Sequence, residues 1–187
     1  KIWFVTSEAA PFAKTGGLAD VAGSLPRALK KMGVDVRVVM PKYRQIPQPV
    51  MNKMIFLGYT FVDLTWRHEY CGIFKLEHGG VPFYFLDNEH YFYRDWYYGQ
   101  ADDGERFTFF CKAVLDVLPV IGFKPYIIHC NDWQAGLVSL LLDAHYRYHR
   151  NDGFYKTIHT IMTIHNLKYQ GVFPKEMMDE VIGLSWE

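Results

Sequence analysis

The sequence predicts an α/β fold with a largely parallel sheet, and three observations lead there. The chain opens as a strand, a glycine-bearing loop, a helix and a second strand. That order starts a βαβ unit, whose crossover is right-handed and whose strands lie parallel. Short β-branched runs then alternate with segments of helical spacing down to residue 164, the pattern of a sheet covered by helices. Half of the residues are hydrophobic, enough for a chain of 187 residues to bury about 70% of its unfolded surface.

Residues 1–6 are apolar β-formers, followed by a loop with Pro11 and Gly16-Gly17. Leu18, Val21, Ala22, Leu25, Leu29 and Met32 recur at helical spacing and Gly33 stops the helix. Pro26 falls inside that pattern, where a missing N–H predicts a kink or an irregular turn. A second strand runs over 34–40, closed by Pro41. Segments 54–65, 69–77 and 81–86 read as three further strands, a β-rich insertion with His78-Gly79-Gly80 as its second turn. Residues 90–104 hold six aromatic rings without a clean period and read as an irregular loop. Helices are expected over 105–121 and 133–148, and strands over 126–129 and 157–164.

Composition excludes several function classes. Twenty basic residues balance twenty acidic ones, so neither a basic nucleic-acid surface nor an anionic-membrane anchor is expected. No apolar run approaches the roughly 20 residues a membrane helix needs, which predicts a soluble protein. Cys71, Cys111 and Cys130 form no CxxC pair, so they read as reduced thiols rather than zinc ligands or disulfides, with Cys111 and Cys130 as small buried fillers. His145 and His149 stand four apart on an expected helix, but no third ligand accompanies them and a solvated face is the better reading.

Chemistry is expected where polar clusters follow strand ends, because ligands of open α/β sheets gather at the carboxyl edge. The first cluster is Lys14-Thr15-Gly16-Gly17-Leu18. Its glycines at a helix N-terminus suit an anion, with Lys14 as a point charge. A plain glycine turn with an exposed lysine fits equally well. The pattern is neither GxGxxG nor a P-loop. The second cluster is Asn131-Asp132-Trp133. Asp132 suits a sugar hydroxyl, but spacing favours a helix N-cap. The third is His165-Asn166, in which His165 is either a donor to a ligand oxygen or a structural histidine. The tyrosine-rich loop suits sugar stacking or plain packing.

Residues 7–21, Ser-Glu-Ala-Ala-Pro-Phe-Ala-Lys-Thr-Gly-Gly-Leu-Ala-Asp-Val, closely resemble the KTGGL motif of bacterial glycogen synthases and plant starch synthases. Met40-Pro41-Lys42-Tyr43, Tyr98-Gly99, Asp102 to Phe107, His129 with Asn131-Asp132-Trp133, and Thr163 to Gly171 extend the resemblance along the chain. It implies the Rossmann-like N-terminal domain of a two-domain, GT-B type glycosyltransferase. The implied reaction is retaining transfer of glucose from ADP-glucose to the non-reducing end of an α-1,4-glucan, without metal or cofactor.

The resemblance further implies that the glycine loop (Thr15, Gly16, Gly17) and Lys14 lie near the donor's diphosphate and glucose. His165 is the implied catalytic-centre residue at the transferred sugar. Asp132 and Tyr98 line the sugar and acceptor side, Asn166 stands beside His165, and Asp20 is a polar support. Many relatives carry His-Asp-Trp-His where this chain has Asn131-Asp132-Trp133-Gln134, so no histidine role carries over at those two positions. On this reading residues 1–187 are an incomplete N-terminal, acceptor-side domain, inactive without the nucleotide-binding C-terminal domain. Cytoplasmic location is expected, or a plastid for a plant enzyme. A non-catalytic glucan-binding module is the alternative, and a nicotinamide dehydrogenase is disfavoured for lack of GxGxxG.

Overall fold

A computed structural model describes residues 1–148 and 153–185. The strands are β1 (Ile2–Val5), β2 (Val36–Pro41), β3 (Ile55–Leu64), β4 (Arg67–His78), β5 (Val81–Asp87), β6 (Ile127–Asn131) and β7 (His159–Thr163). The helices are α1 (Gly17–Lys31), α2 (Gln48–Met51), α3 (Glu89–Phe92), α4 (Asp103–Val120) and α5 (Leu137–Leu141). All seven strands join one sheet in the order β3-β4-β5-β2-β1-β6-β7. β5, β2, β1, β6 and β7 are parallel, while β3 and β4 form an antiparallel ribbon that extends the sheet beyond β5 at one edge. The expected α/β class and mostly parallel sheet are what the structure has, and the β-rich insertion is an extension of the main sheet.

Central strand β1 is flanked on both sides, so Trp3, Phe4 and Val5 are fully buried. Continuous apolar runs of this kind are what a doubly covered parallel strand requires. Helix α1 presents Leu18, Ala19, Ala22, Gly23 and Pro26 to the core, a stripe of helical period. It runs unbroken through Pro26. The proline does not end the helix, and its ring serves as a packed core group.

Helix α4 is buried on nearly every face, charged residues included. Its two buried cations both donate to neighbouring carbonyls, although Arg106 Nη2 is buried without a partner among the described residues. Lys112 Nζ donates to the Asp63 carbonyl at 2.9 Å, and Arg106 donates to the Tyr91 carbonyl at 2.8 Å. Burial of Lys112 lowers its pKa below that of a free lysine.

Several expected elements differ in detail. The turn between β4 and β5 is Gly79-Gly80, with φ of +59° and +75°, a two-residue loop of the type that matches strand twist. The aromatic loop begins as the helical turn α3, because Asn88 accepts from the Tyr91 N–H and caps it. The single helix expected over 133–148 is a 3₁₀ turn at Trp133–Ala135, then α5, then a π turn at Leu142–Arg147. Asp132, with φ of +57°, sends the chain into that tight first turn. Strand β7 is shorter than expected, and Ile161, Met162 and Ile164 at its edge are exposed. Among the described residues no helix is long and apolar enough to cross a membrane. His149, one of the two spaced histidines, lies outside the described residues.

Candidate functional site at the carboxyl edge of the parallel sheet

Four loops that follow parallel strands meet around one cavity of about 1210 Å³. The loop after β1 supplies Glu8, Thr15, Gly16 and Gly17, and the loop after β5 supplies Tyr98 and Gly99. Asp132 and Gln134 come from the turn after β6, and His165 and Asn166 follow β7. Parallel strands end at a common edge, so residues more than a hundred positions apart in sequence line one cavity.

The first wall is built from backbone. Glu8, 4% exposed, holds the loop with its carboxylate: Oε2 accepts from the Thr15 N–H and Oε1 from the Thr15 hydroxyl at 3.0 Å. Gly16 then leads into α1 with no side-chain cap. The first-turn N–H groups of α1 therefore have no intrahelical partner, and Gly16, Gly17 and Leu18 border the cavity. A Cβ on Gly16 or Gly17 would meet nothing within 4 Å, and Gly16 is extended at φ −155°. The fold demands glycine at neither position; their small size leaves cavity space beside exposed amides, the arrangement that admits an anion.

The opposite wall is built from side chains. Asp132 caps nothing, contrary to the N-cap that spacing favours. Its Oδ1 accepts from the His165 N–H at 2.6 Å, and its own N–H donates to the Thr163 carbonyl at 2.9 Å. A left-handed backbone at a non-glycine residue is costly and persists where surrounding contacts demand it; here those contacts clip the ends of β6 and β7 together. Asn131, fully buried, reaches His165 Nε2 with Oδ1 at 2.9 Å. Trp133 floors this side, edge-on to Phe107 at 5.1 Å and tilted against Phe173 at 5.4 Å. Gly171 lies over the same ring at φ +61°, where a Cβ would come within 2.5 Å of it.

Tyr98 is held from behind by an arginine clamp. Arg106 donates to Asp103 at 2.8 Å and to the Tyr97 carbonyl at 3.2 Å, and Asp103 accepts from the Gly99 N–H at 2.7 Å. Arg94 and Asp102 pair through two contacts at 2.6 and 2.7 Å, a fork-to-fork geometry. The Tyr98 hydroxyl meets Ser7 Oγ at 2.8 Å. Burial, and after it the Glu8 carboxylate, holds the Tyr98 phenol well above its ordinary pKa. At neutral pH it is a neutral hydroxyl.

The structure brings Thr15, Gly16, Gly17, Tyr98, Asp132, His165 and Asn166 to this cavity. Lys14 and Asp20 are not among its lining residues; they pair with each other at 2.6 Å on the exposed surface. Sequence reasoning missed Glu8 and the clamp of Asp103 and Arg106. One carboxylate in the otherwise small and apolar stretch after β1 was the available sign for Glu8. The three cysteines are free and buried, with the Cys130 thiol pushed up to about 12 by burial. Among the described residues no cluster of histidine, cysteine and carboxylate groups is suited to a metal ion.

Comparisons with known proteins point one way. A family model described as the starch synthase catalytic domain matches residues 1–187. The chain is 54% identical over 185 residues to a glycogen synthase of Anoxybacillus flavithermus, covering 99% of this chain and 38% of that protein. It is 54% identical over 187 residues to a glycogen synthase of Desulforamulus reducens, again 38% of that protein's length. The structure resembles the catalytic domain of starch synthase IV from Arabidopsis thaliana bound to ADP and acarbose. The TM-score is 0.87 at 30% identity, over 98% of this chain and 37% of that one. The chain thus spans under two fifths of the length of these relatives.

Proposed function

Since the chain belongs to the starch synthase catalytic-domain family, we propose that it is the N-terminal, acceptor-side part of a two-domain glucosyltransferase. The proposed reaction moves glucose from ADP-glucose to the non-reducing end of an α-1,4-glucan, with retention of configuration. The observation that carries this reading is the single cavity walled by α1 amides on one side and Asp132 with His165 on the other. A neighbour that holds ADP and acarbose supports a site for a nucleotide beside a glycan.

Departure of the nucleotide puts negative charge on its diphosphate and positive charge on the anomeric carbon. The free amides at Gly16 and Gly17 and the dipole of α1 stabilise the former, having been aimed before the reaction begins. Lys14 joins them by leaving Asp20, at little cost, since an exposed pair is worth about 1 kcal/mol at most. His165 and Asn166 meet the transferred glucose. The Asp132 oxygen not bonded to His165 and the neutral Tyr98 hydroxyl orient the sugar and the acceptor, so that attack starts from a near-attack geometry. Trp133 and Phe173 narrow the cavity against water that would otherwise hydrolyse the donor.

The remaining nucleotide contacts belong, on this reading, to the C-terminal domain of the same enzyme. Incorporation of radiolabelled glucose from ADP-glucose into glycogen tests it. The full-length protein is expected to transfer and residues 1–187 alone are not. No transfer by the full-length protein, or transfer by residues 1–187 alone, would overturn the proposal.

A further inference from the structure

Asn131 is fully buried at the end of β6, and every polar atom of its side chain is committed. Its Nδ2 donates to the Val5 carbonyl at 3.0 Å and to the His129 carbonyl at 3.1 Å. Its Oδ1 lies 2.9 Å from His165 Nε2. The amide cannot be turned over: reversal would set Oδ1 against two carbonyl oxygens, neither of which has a proton to give. The orientation of the amide is therefore dictated by the backbone of β1 and β6.

An amide oxygen only accepts, so the group facing it must donate. A neutral imidazole carries one proton, and the hydrogen bond at one nitrogen decides what the other can do. With Nε2 donating to Asn131, the proton sits on Nε2 and the acceptor lone pair is left on Nδ1. Among the described residues Nδ1 has no hydrogen-bond partner, while the backbone N–H of His165 is taken by Asp132 at 2.6 Å. Two consecutive residues thus hold both the ring and the backbone of His165.

We propose that Asn131 is a positioning residue that fixes His165 as the Nε2–H tautomer, so that the histidine meets its ligand as a hydrogen-bond acceptor through Nδ1. The group it recognises is a hydroxyl, which can donate, and not a phosphate or carbonyl oxygen, which cannot. Taking that hydroxyl to belong to the transferred glucose rests on the function proposed above; the tautomer itself does not. The expectation that His165 donates to a ligand oxygen is reversed, since its one ring proton is already in use.

Nitrogen-15 NMR of the full-length protein labelled at histidine reads the tautomer directly, with His165→Gln used only to assign the signal. At neutral pH the expected spectrum has a pyrrole-like Nε2 and a pyridine-like Nδ1 at His165. In Asn131→Ala the two nitrogens should average toward a mixture, and kcat/KM for glucosyl transfer should fall about tenfold, as when a supporting hydrogen bond is removed. A pyridine-like Nε2 in the wild-type protein, or an imidazolium with both nitrogens protonated, overturns the proposal even if Asn131→Ala fails to fold. An unchanged spectrum in a folded Asn131→Ala protein overturns it as well. If the expected tautomer appears in a protein with no glucosyl transfer, the tautomer assignment stands and the proposed function falls.

Discussion

The parallel part of the sheet and the antiparallel ribbon at its edge share one hydrogen-bonded layer, yet the cavity draws on only one of them. Its lining comes from loops after β1, β5, β6 and β7, and no residue of β3 or β4 contributes. The ribbon nevertheless carries the more conspicuous surface. Tyr59, Phe61 and Tyr70 are exposed, and Phe61 stacks on His68 at 4.4 Å. Strand direction explains the contrast: parallel strands deliver their loops to one edge, whereas a hairpin returns each strand to the edge it left. Exposed rings alone would have pointed away from the cavity.

The largest test of this contrast is Glu8→Ala. Removing the carboxylate leaves the Thr15 amide without its partner and frees the loop that shapes the first wall. Glucosyl transfer by the full-length protein should fall about 100-fold, with about 2 kcal/mol lost in denaturant unfolding. Next comes Gly17→Ala, where an added Cβ has open space. Thermal stability should hold or rise slightly, by about 0.5 kcal/mol, while KM for ADP-glucose increases about tenfold because the methyl group occupies room beside the α1 amides. The smallest effect belongs to the ribbon: the double substitution Tyr59→Ser and Phe61→Ser should change kcat/KM for ADP-glucose by less than about twofold, as expected for exposed positions remote from the site. A tenfold loss from the ribbon pair would break the comparison outright.

These residues also show what can be read before folding. The αβ order, the central strands and the Gly79-Gly80 hairpin were legible because each rests on local period or turn chemistry. Gly16 and Gly17 were legible only in part, since a plain glycine turn explained them as well as a ligand loop did; it is the fold that sets them beside the cavity. Asp132 was misread as a cap because sequence spacing cannot show the strand end lying beside it, 33 positions away, whose amide takes the carboxylate. Glu8 and Asn131 were opaque for a related reason. Part of what each one bonds is backbone, which every sequence contains and no sequence marks, and the side-chain partners are brought in by the fold. The mixed helical path after Trp133 was equally hidden, because the left-handed Asp132 that starts it follows from tertiary contacts.

Amide hydrogen exchange in the full-length protein, with and without ADP and a maltooligosaccharide, tests the central claim most directly. Protection is expected in 15–18, 98–99, 132–134 and 165–171, with none added along β3 and β4. Protection that appears on the ribbon, or that spares the α1 amides and the segment from His165, would contradict the assignment of this cavity as the glucosyl-transfer site.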